Sequence, residues 1–186
     1  MSANQHTVTQ ADMESEWQEI QAAQGNPALF QPLYVRYYES IFRFIHRRTG
    51  QEALAAEICS DTFLKAMQKL PSYSFRGVPF SAWLFRIASN ETAQYFRRTA
   101  KNRTISTDDV SLQNLAEETD EKDTEKYRAL LLQSLEKLKE KDLLIIEMRF
   151  FEQRPFKEIA EILDISESNA KVRTYRVLDR LKKMMK

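Results

Sequence analysis

The C-terminal end of the chain carries side chains that could bind a nucleic-acid backbone and read base edges. From residue 171 to residue 186 there are seven Lys or Arg and one Asp, in a chain whose net charge is +1. Cations concentrated in this way suit phosphate groups, and Arg or Lys can also bind the O6 and N7 atoms of guanine. The polar set and its neighbours are Ser168, Asn169, Lys171, Val172, Arg173, Tyr175, Arg176 and Arg180.

Two short helices are predicted to position these side chains. The first helix is indicated by Ile159, Ala160, Ile162 and Leu163, and the second by a buried stripe of Ala170, Thr174, Val177 and Leu181. Asp164-Ile165-Ser166 interrupts the pattern, and Ser166 is a good N-cap for the second helix. This is the plan of a helix-turn-helix, whose second helix enters the major groove. An ordinary helical hairpin with a solvated charged face is the alternative.

A second stretch, residues 80–98, combines aromatic, amide and Arg side chains on one predicted helix. Its first half is apolar at helical spacing, and Asn90, Tyr95, Arg97 and Arg98 follow in its second half. Bases stack on aromatic rings and phosphates pair with cations, so this pattern suits a single nucleic-acid strand. A core helix whose basic last turn complements the helix dipole is the alternative interpretation.

Composition predicts an all-α protein. The 186 residues include only 3 Gly and 5 Pro, with 42% hydrophobic and 30% charged residues. The single cysteine, Cys59, excludes an internal disulfide and fits a reducing cytosol. His6 and His46 lie far apart in the sequence, so we expect neither a metal site nor a cofactor.

The charge pattern divides the chain into two small helical domains joined by a flexible acidic linker. Residues 108–125 hold eight acidic side chains and one basic side chain. The predicted order is an N-terminal tail and short helix at 1–24, a helical domain at 25–103, the linker at 104–124, and the helix-turn-helix domain at 125–186. The predicted helices before the helix-turn-helix cover residues 13–24, 28–48, 52–70, 80–98, 125–138 and 143–151.

No enzyme motif is present in the sequence. There is no Gly-rich phosphate loop, no HExxH and no GxSxG. The N-terminus lacks a basic-then-apolar run, and no segment approaches eighteen apolar residues. We therefore expect a cytoplasmic protein that is not an enzyme and does not insert into a membrane.

Four segments in order carry a family resemblance over about residues 29–183. They are LFQPLYVRYYESIFRFI, AAEICSDTFLKAMQKL, FSAWLFRIASNETAQYFRR and the run from LKEKDLLIIEMRFF to Lys183. Together they resemble an extracytoplasmic-function sigma factor of bacterial RNA polymerase. The first three resemble sigma region two, including the Trp-Leu-aromatic-basic-Ile-Ala-x-Asn signature from Trp83 to Asn90, and the last resembles region four.

The resemblance implies three sets of binding residues. Region four, at 125–186, is expected to read the minus-thirty-five element through Ser168, Asn169, Lys171, Arg173, Tyr175 and Arg176. Region two, at 25–103, is expected to bind the minus-ten element through Asn90, Tyr95, Arg97 and Arg98. The 71–79 loop and the segment after Arg98 are expected near a flipped base of that element. Docking on core polymerase is expected through Glu57, Asp61, Thr62 and Phe63.

The same resemblance implies the partners. They are core RNA polymerase, promoter DNA and an anti-sigma factor of the kind that often holds such proteins inactive. The acidic linker is either a solvated tether or a segment that occupies the RNA path of the polymerase. Two other functions stay open at this point: a helix-turn-helix regulator that binds duplex DNA without polymerase, and a helical module that binds only protein.

Overall fold

The protein is described by a computed structural model that covers residues 8–99, 105, 109–118 and 125–185. Within these ranges the chain is helical and has no strand, which confirms the predicted all-α class. The helices are α1 (Gln10–Gly25), α2 (Gln31–Thr49), α3 (Glu52–Lys69), α4 (Phe80–Thr99), α5 (Asp109–Glu118), α6 (Glu125–Glu136), α7 (Glu140–Ile146), α8 (Phe156–Leu163) and α9 (Glu167–Met184). Short 3₁₀ turns precede α2 and follow α3, and a π-helical turn, Glu147–Phe151, continues α7.

Local chemistry fixes several helix ends. Thr9 and Asp12 form a reciprocal capping box at the start of α1. Gly50 ends α2 in the left-handed region at φ 64°, and Asp164 ends α8 in the same region at φ 58°. The hydroxyl of Ser166 accepts a hydrogen bond from the backbone N–H of Asn169 at 3.2 Å, which confirms the predicted N-cap of α9.

Helices α2, α3 and α4 form the core of the first domain. The ring centres of Phe44 and Phe85 lie 5.4 Å apart in an edge contact, and Cys59 is buried in the same core. Burial raises the pKa of the Cys59 thiol to about 12. The helical period places Leu64 and Met67 beside the buried residues of α3, but both side chains lie at the surface of the helix.

Helices α7, α8 and α9 form the core of the second domain. The predicted stripe of α9 is buried throughout, at Ala170, Thr174, Val177 and Leu181. Ile159 and Ile162 of α8 face the same core. These contacts confirm the two-helix arrangement predicted from the apolar period.

Helix α5 lies inside the acidic segment and was not predicted. Leu112, Leu115 and Ala116 are buried on one side of it, and α5 packs against the π-helical turn. Three apolar residues at helical spacing give a weak pattern in the sequence, and a packing partner makes the helix stable. Residues 1–7 of the predicted tail, and residues 104, 106–108 and 119–124 of the predicted linker, lie outside the described ranges.

The two domains contact each other through ion pairs. Arg48 of α2, 1% exposed, pairs with Glu147 and with Glu140, and Arg47 pairs with Glu152. Burial disfavours the charge of Arg48, yet the neighbouring carboxylates outweigh this and raise its pKa. A buried charge that is paired in this way joins the end of α2 to the beginning of α7 and its π-helical turn.

Helices α4 and α8 form a further part of the domain contact. Arg154 donates to the hydroxyl of Ser81 at 2.8 Å and lies 4.3 Å from the centre of the Phe85 ring. Helix α8 therefore lies along the side of α4 that faces the second domain. None of the described helices is both long and apolar enough to cross a membrane.

Candidate nucleic-acid interface

The outer face of α9 is an exposed polar and basic surface. Because the apolar stripe of α9 is buried, the opposite side of the helix faces outward. Most of the residues predicted to contact DNA on α9 therefore reach solvent. Tyr175 is 51% exposed and Val172 lies beside it. The members that are exposed together are Ser168, Asn169, Lys171, Tyr175 and Arg176. We refer to these five residues as the α9 face.

Arg173 differs from the rest of the predicted set because it is anchored inside the second domain. Its Nε and Nη2 donate to Oδ1 of Asp142 at 2.9 and 2.7 Å, and Nη1 of Arg180 donates to Oδ2 at 2.8 Å. Burial opposes ionisation of Asp142, but the hydrogen bonds from the two Arg residues outweigh it and lower its pKa. Arg173 therefore ties α9 to the first turn of α7, and a DNA contact by Arg173 stays a prediction.

Helix α4 exposes a different kind of surface. Most of its first half is buried, whereas Asn90, Arg97 and Arg98 reach solvent farther along the helix. Tyr95 is partly buried, with its ring 5.5 Å from that of Phe96. Of the predicted segment after Arg98, residues 100–104 lie outside the described ranges.

A cavity of about 260 Å³ lies between the 71–79 loop and α4. The loop contributes Ser74 and Arg76, and α4 contributes Trp83 and Asn90. The sequence predicts the loop near a flipped base and Asn90 in contact with the same DNA element, but it gives Trp83 no separate role. The Trp-Leu-aromatic signature was the available signal for that residue.

Carboxylates from α8 approach the same cavity from the second domain. Glu161 lies 3.4 Å from Nη1 of Arg76 and 3.9 Å from Nη1 of Arg86. Asp164 lies 3.2 Å from Nη2 of Arg86. Arg76 and Arg86 are thus each paired with a carboxylate of the same chain, at a position where a phosphate could also bind.

A second, larger cleft of about 1080 Å³ separates α4 from α7 and α8. Asn90 and Arg97 line it on the α4 side, and Lys139 and Lys141 line it on the α7 side. Glu136 and Glu140 also line the cleft, so its charge is mixed. The candidate residues of α4 therefore face the second domain across an open space.

The predicted polymerase-docking residues fall into two groups on α3. Glu57 and Asp61 are exposed on its outer side, whereas Thr62 and Phe63 are buried. The hydroxyl of Thr62 donates to the carbonyl of Ile58 at 2.8 Å. The ring of Phe63 packs on Tyr34 at 4.8 Å. The structure does not bring Thr62 and Phe63 to the surface, since both fill the core of the first domain.

Sequence reasoning missed an apolar component of the same surface. Leu64 is 55% exposed and follows Asp61 by three residues. Met67, three residues farther along α3, is also exposed, as is Tyr34, whose ring contacts that of Phe63. Exposed apolar side chains beside carboxylates are typical of protein-binding surfaces.

Among the residues that the structure describes, no group of three His, Cys, Asp or Glu side chains could hold a metal ion.

Comparison with known proteins identifies the class to which this arrangement belongs. Residues 33–102 match the family model of sigma-70 region 2, and residues 134–183 match that of sigma-70 region 4. The first matched segment covers α3, α4 and nearly all of α2, and the second covers nearly all of the helix-turn-helix. Two surfaces suited to nucleic acid therefore lie in the two matched regions.

Curated relatives agree with these matches. The RNA polymerase sigma factor YlaC of Bacillus subtilis is 32% identical over 82% of this chain and 90% of its own length. The ECF RNA polymerase sigma factor BldN of Streptomyces coelicolor is 26% identical over 88% of this chain, which spans 63% of that relative. The chain belongs to the sigma-70 family of RNA polymerase sigma factors, in the extracytoplasmic-function group. This confirms the resemblance and favours a sigma factor over a free-standing helix-turn-helix regulator.

Solved structures share the fold. The structure of CnrH in complex with the cytosolic domain of CnrY matches with a TM-score of 0.60 at 24% identity, over 89% of this chain and 93% of that chain. The sigma factor RpoE in complex with the anti-sigma factor NepR from Bartonella quintana matches with a TM-score of 0.56 at 17% identity, over 83% and 95%.

Proposed function

We propose that this protein binds core RNA polymerase and directs it to promoters by reading two DNA elements with its two domains. The observation that carries the proposal is that the exposed polar and basic α9 face lies in one domain, while a cavity of about 260 Å³ lies between the 71–79 loop and α4 of the other. The matched regions of the sigma-70 family coincide with those domains. We also propose that the protein is cytoplasmic and has no catalytic activity of its own.

The second domain, within residues 125–186, is proposed to read the minus-thirty-five element. The α9 face presents hydroxyl, amide and cationic groups at the N-terminal half of the helix, the part of a recognition helix that reaches base edges. Arg176 and Lys171 suit guanine or phosphate, and the Tyr175 ring suits a thymine methyl or the sugar backbone. Arg173 is proposed to contact DNA while it stays paired with Asp142.

The first domain, within residues 25–103, is proposed to bind the non-template strand of the minus-ten element. Asn90, Tyr95, Arg97 and Arg98 supply an amide, a ring and two cations along α4. The cavity beside the loop would hold one base taken out of the stack. Unstacking costs a few kcal/mol, and contacts to the flipped base offset part of that cost.

The outer side of α3 is proposed to dock on core polymerase. Glu57 and Asp61 supply charge, and Leu64 supplies exposed apolar area. Thr62 and Phe63 are proposed to support this surface from beneath through their packing. An anti-sigma factor is a further proposed partner, because the structurally similar RpoE is seen bound to one.

The test of polymerase binding is a pull-down of bacterial core polymerase with purified protein. The double variant Asp61→Ala, Leu64→Ala should lose binding, because both the charge and the apolar contact are removed. Glu14→Ala, which removes an exposed carboxylate from α1, is the matched control and should bind as the wild type does. A wild-type protein that binds duplex DNA but not core polymerase would contradict the proposal and support a free-standing regulator.

A further inference from the structure

The loop at residues 71–79 has two sides with different surroundings. Ser74 and Arg76 are exposed and line the cavity, whereas Phe75 and Tyr73, which also borders the cavity, are partly buried. Successive side chains of an extended segment point to opposite sides, so one side can pack while the other stays available. The side that packs meets α1.

Helix α1 holds the beginning and the middle of this loop. The side-chain amide of Gln24 donates two hydrogen bonds through Nε2, to the carbonyl of Leu70 at 2.9 Å and to the carbonyl of Tyr73 at 2.8 Å. The ring of Trp17 lies 6.0 Å from Tyr73 in an edge contact and 6.1 Å from Phe75 in a stacked contact. These contacts fix both the backbone and the inward-facing rings of the loop.

The same helix holds the end of the loop, where α4 begins. The buried carboxylate of Glu16 accepts a hydrogen bond from the backbone N–H of Phe80 at 3.1 Å, one of the N–H groups that a helix start leaves unpaired. Arg36 donates to the same carboxylate at 3.1 Å, and the hydroxyl of Tyr37 donates to it as well. Burial, followed by the negative charge of Glu16, raises the pKa of Tyr37.

We propose that α1 is a positioning element for base reading. Glu16, Trp17 and Gln24 set the shape of the 71–79 loop and thereby the preference for the flipped base of the minus-ten element. Helix α1 ends at Gly25, before the segment that matches sigma-70 region 2 begins. The inference rests on the proposed function, which assigns the cavity to an unstacked base.

The physical reason is the sensitivity of hydrogen-bond selection to geometry. A pocket rejects a wrong base when its polar groups would be left unpaired, and this requires that they stand where the right base needs them. In the part of the chain that the structure describes, Ser74 and Arg76 are held by the backbone of their loop and by the ion pair of Arg76 with Glu161. Loss of an α1 contact lets the loop shift, so that wrong bases are accepted more often.

The test uses full-length protein in holoenzyme and four promoters that differ only in the base facing the loop. Gln24→Ala should reduce the transcription ratio between the preferred and second base by about fivefold or more, the lower end of what one base contact discriminates. Gln21→Ala, an exposed Gln on the same helix, is the matched control and should keep the wild-type ratio. Gln24→Glu keeps the size but removes both donors, so it should behave as Gln24→Ala does.

The outcomes separate this inference from the proposed function. The double variant Ser74→Ala, Arg76→Ala alters the outward side of the loop directly. If it changes base preference while both Gln24 variants leave the preference intact, the role of α1 is wrong and the cavity assignment stands. If it leaves base preference intact, the cavity assignment itself fails. A Gln24 variant that lowers transcription from all four promoters in equal proportion has a structural role alone, which overturns the positioning role.

Discussion

The two helices proposed to meet DNA differ in what surrounds them. Helix α9 buries a narrow stripe and leaves the α9 face open to solvent. Helix α4 is buried over most of its first half between α2, α3 and α8, and its candidate residues face the second domain across a cleft. A rigid duplex can reach α9 from outside, whereas a strand that reaches α4 must enter between the domains.

The difference suits the two forms of DNA involved. Duplex DNA keeps its shape when it binds, so an exposed convex helix is sufficient for reading the major groove. A single strand must be held open, and a surface with a cavity and rings can stabilise unstacked bases. In the arrangement described, Glu161 of α8 and Asp164 at its end pair with Arg76 and Arg86 beside that cavity, so these ion pairs must break before phosphates can replace the carboxylates.

The largest expected effect comes from breaking the ion cluster that joins the domains. Arg48→Ala leaves Glu147 buried without its partner, which typically costs about 3–5 kcal/mol. The domain contact should therefore open, and small-angle scattering should report a larger radius of gyration. Arg43→Ala, which removes a 65% exposed Arg from the same helix, is the control and should leave the scattering unchanged. Identical profiles for both variants would show that Arg48 does not hold the domains together.

An intermediate effect is expected on the α9 face. Arg176→Ala should weaken promoter binding by holoenzyme by about 1–3 kcal/mol if it reads guanine, and relax preference at one base pair of the upstream element. Lys183→Ala removes an exposed cation from the far end of the same helix and should change affinity without changing sequence preference. Filter binding on a promoter series measures both. If both variants lower affinity without changing sequence preference, the α9 face makes only non-specific contacts with phosphates.

The smallest effect is expected at the carboxylate that faces the cavity. Glu161→Gln removes the charge that pairs with Arg76 and Arg86, and such partly exposed pairs contribute about 0.2–1 kcal/mol. The free protein should therefore bind a single-stranded minus-ten oligonucleotide up to about fivefold more tightly, as measured by fluorescence anisotropy. Glu14→Gln is the matched control on α1. An unchanged affinity for Glu161→Gln would mean that α8 does not compete with DNA at this place.

The features that could be predicted from the sequence are those with a local signal. The buried stripe of α9 and its Ser166 cap follow from spacing within one turn or two of helix. The amphipathic helices α2 and α4 follow from the same kind of period. The assignment of the first domain to sigma region two and of the second to region four came from the family resemblance, because composition carries no such information.

The features that could not be predicted depend on residues far apart in the sequence. Arg173 and Asp142 are 31 residues apart, and Arg48 and Glu147 are 99 residues apart. No local pattern shows that Arg173 turns inward. Phe63 packs on Tyr34, which lies on another helix, and no local pattern shows that contact. Periodicity places residues on a helix face, but the neighbours of that face follow from the tertiary structure.

The most direct test of the two-surface account is run-off transcription by reconstituted holoenzyme from a pooled promoter library. Start sites should appear that core polymerase alone does not produce. The variant Lys171→Ala, Arg176→Ala should change sequence preference in the upstream element alone, and Arg97→Ala, Arg98→Ala should change promoter opening and the downstream element alone. If each double variant changes both elements alike, or if wild-type protein adds no start sites, the account is contradicted.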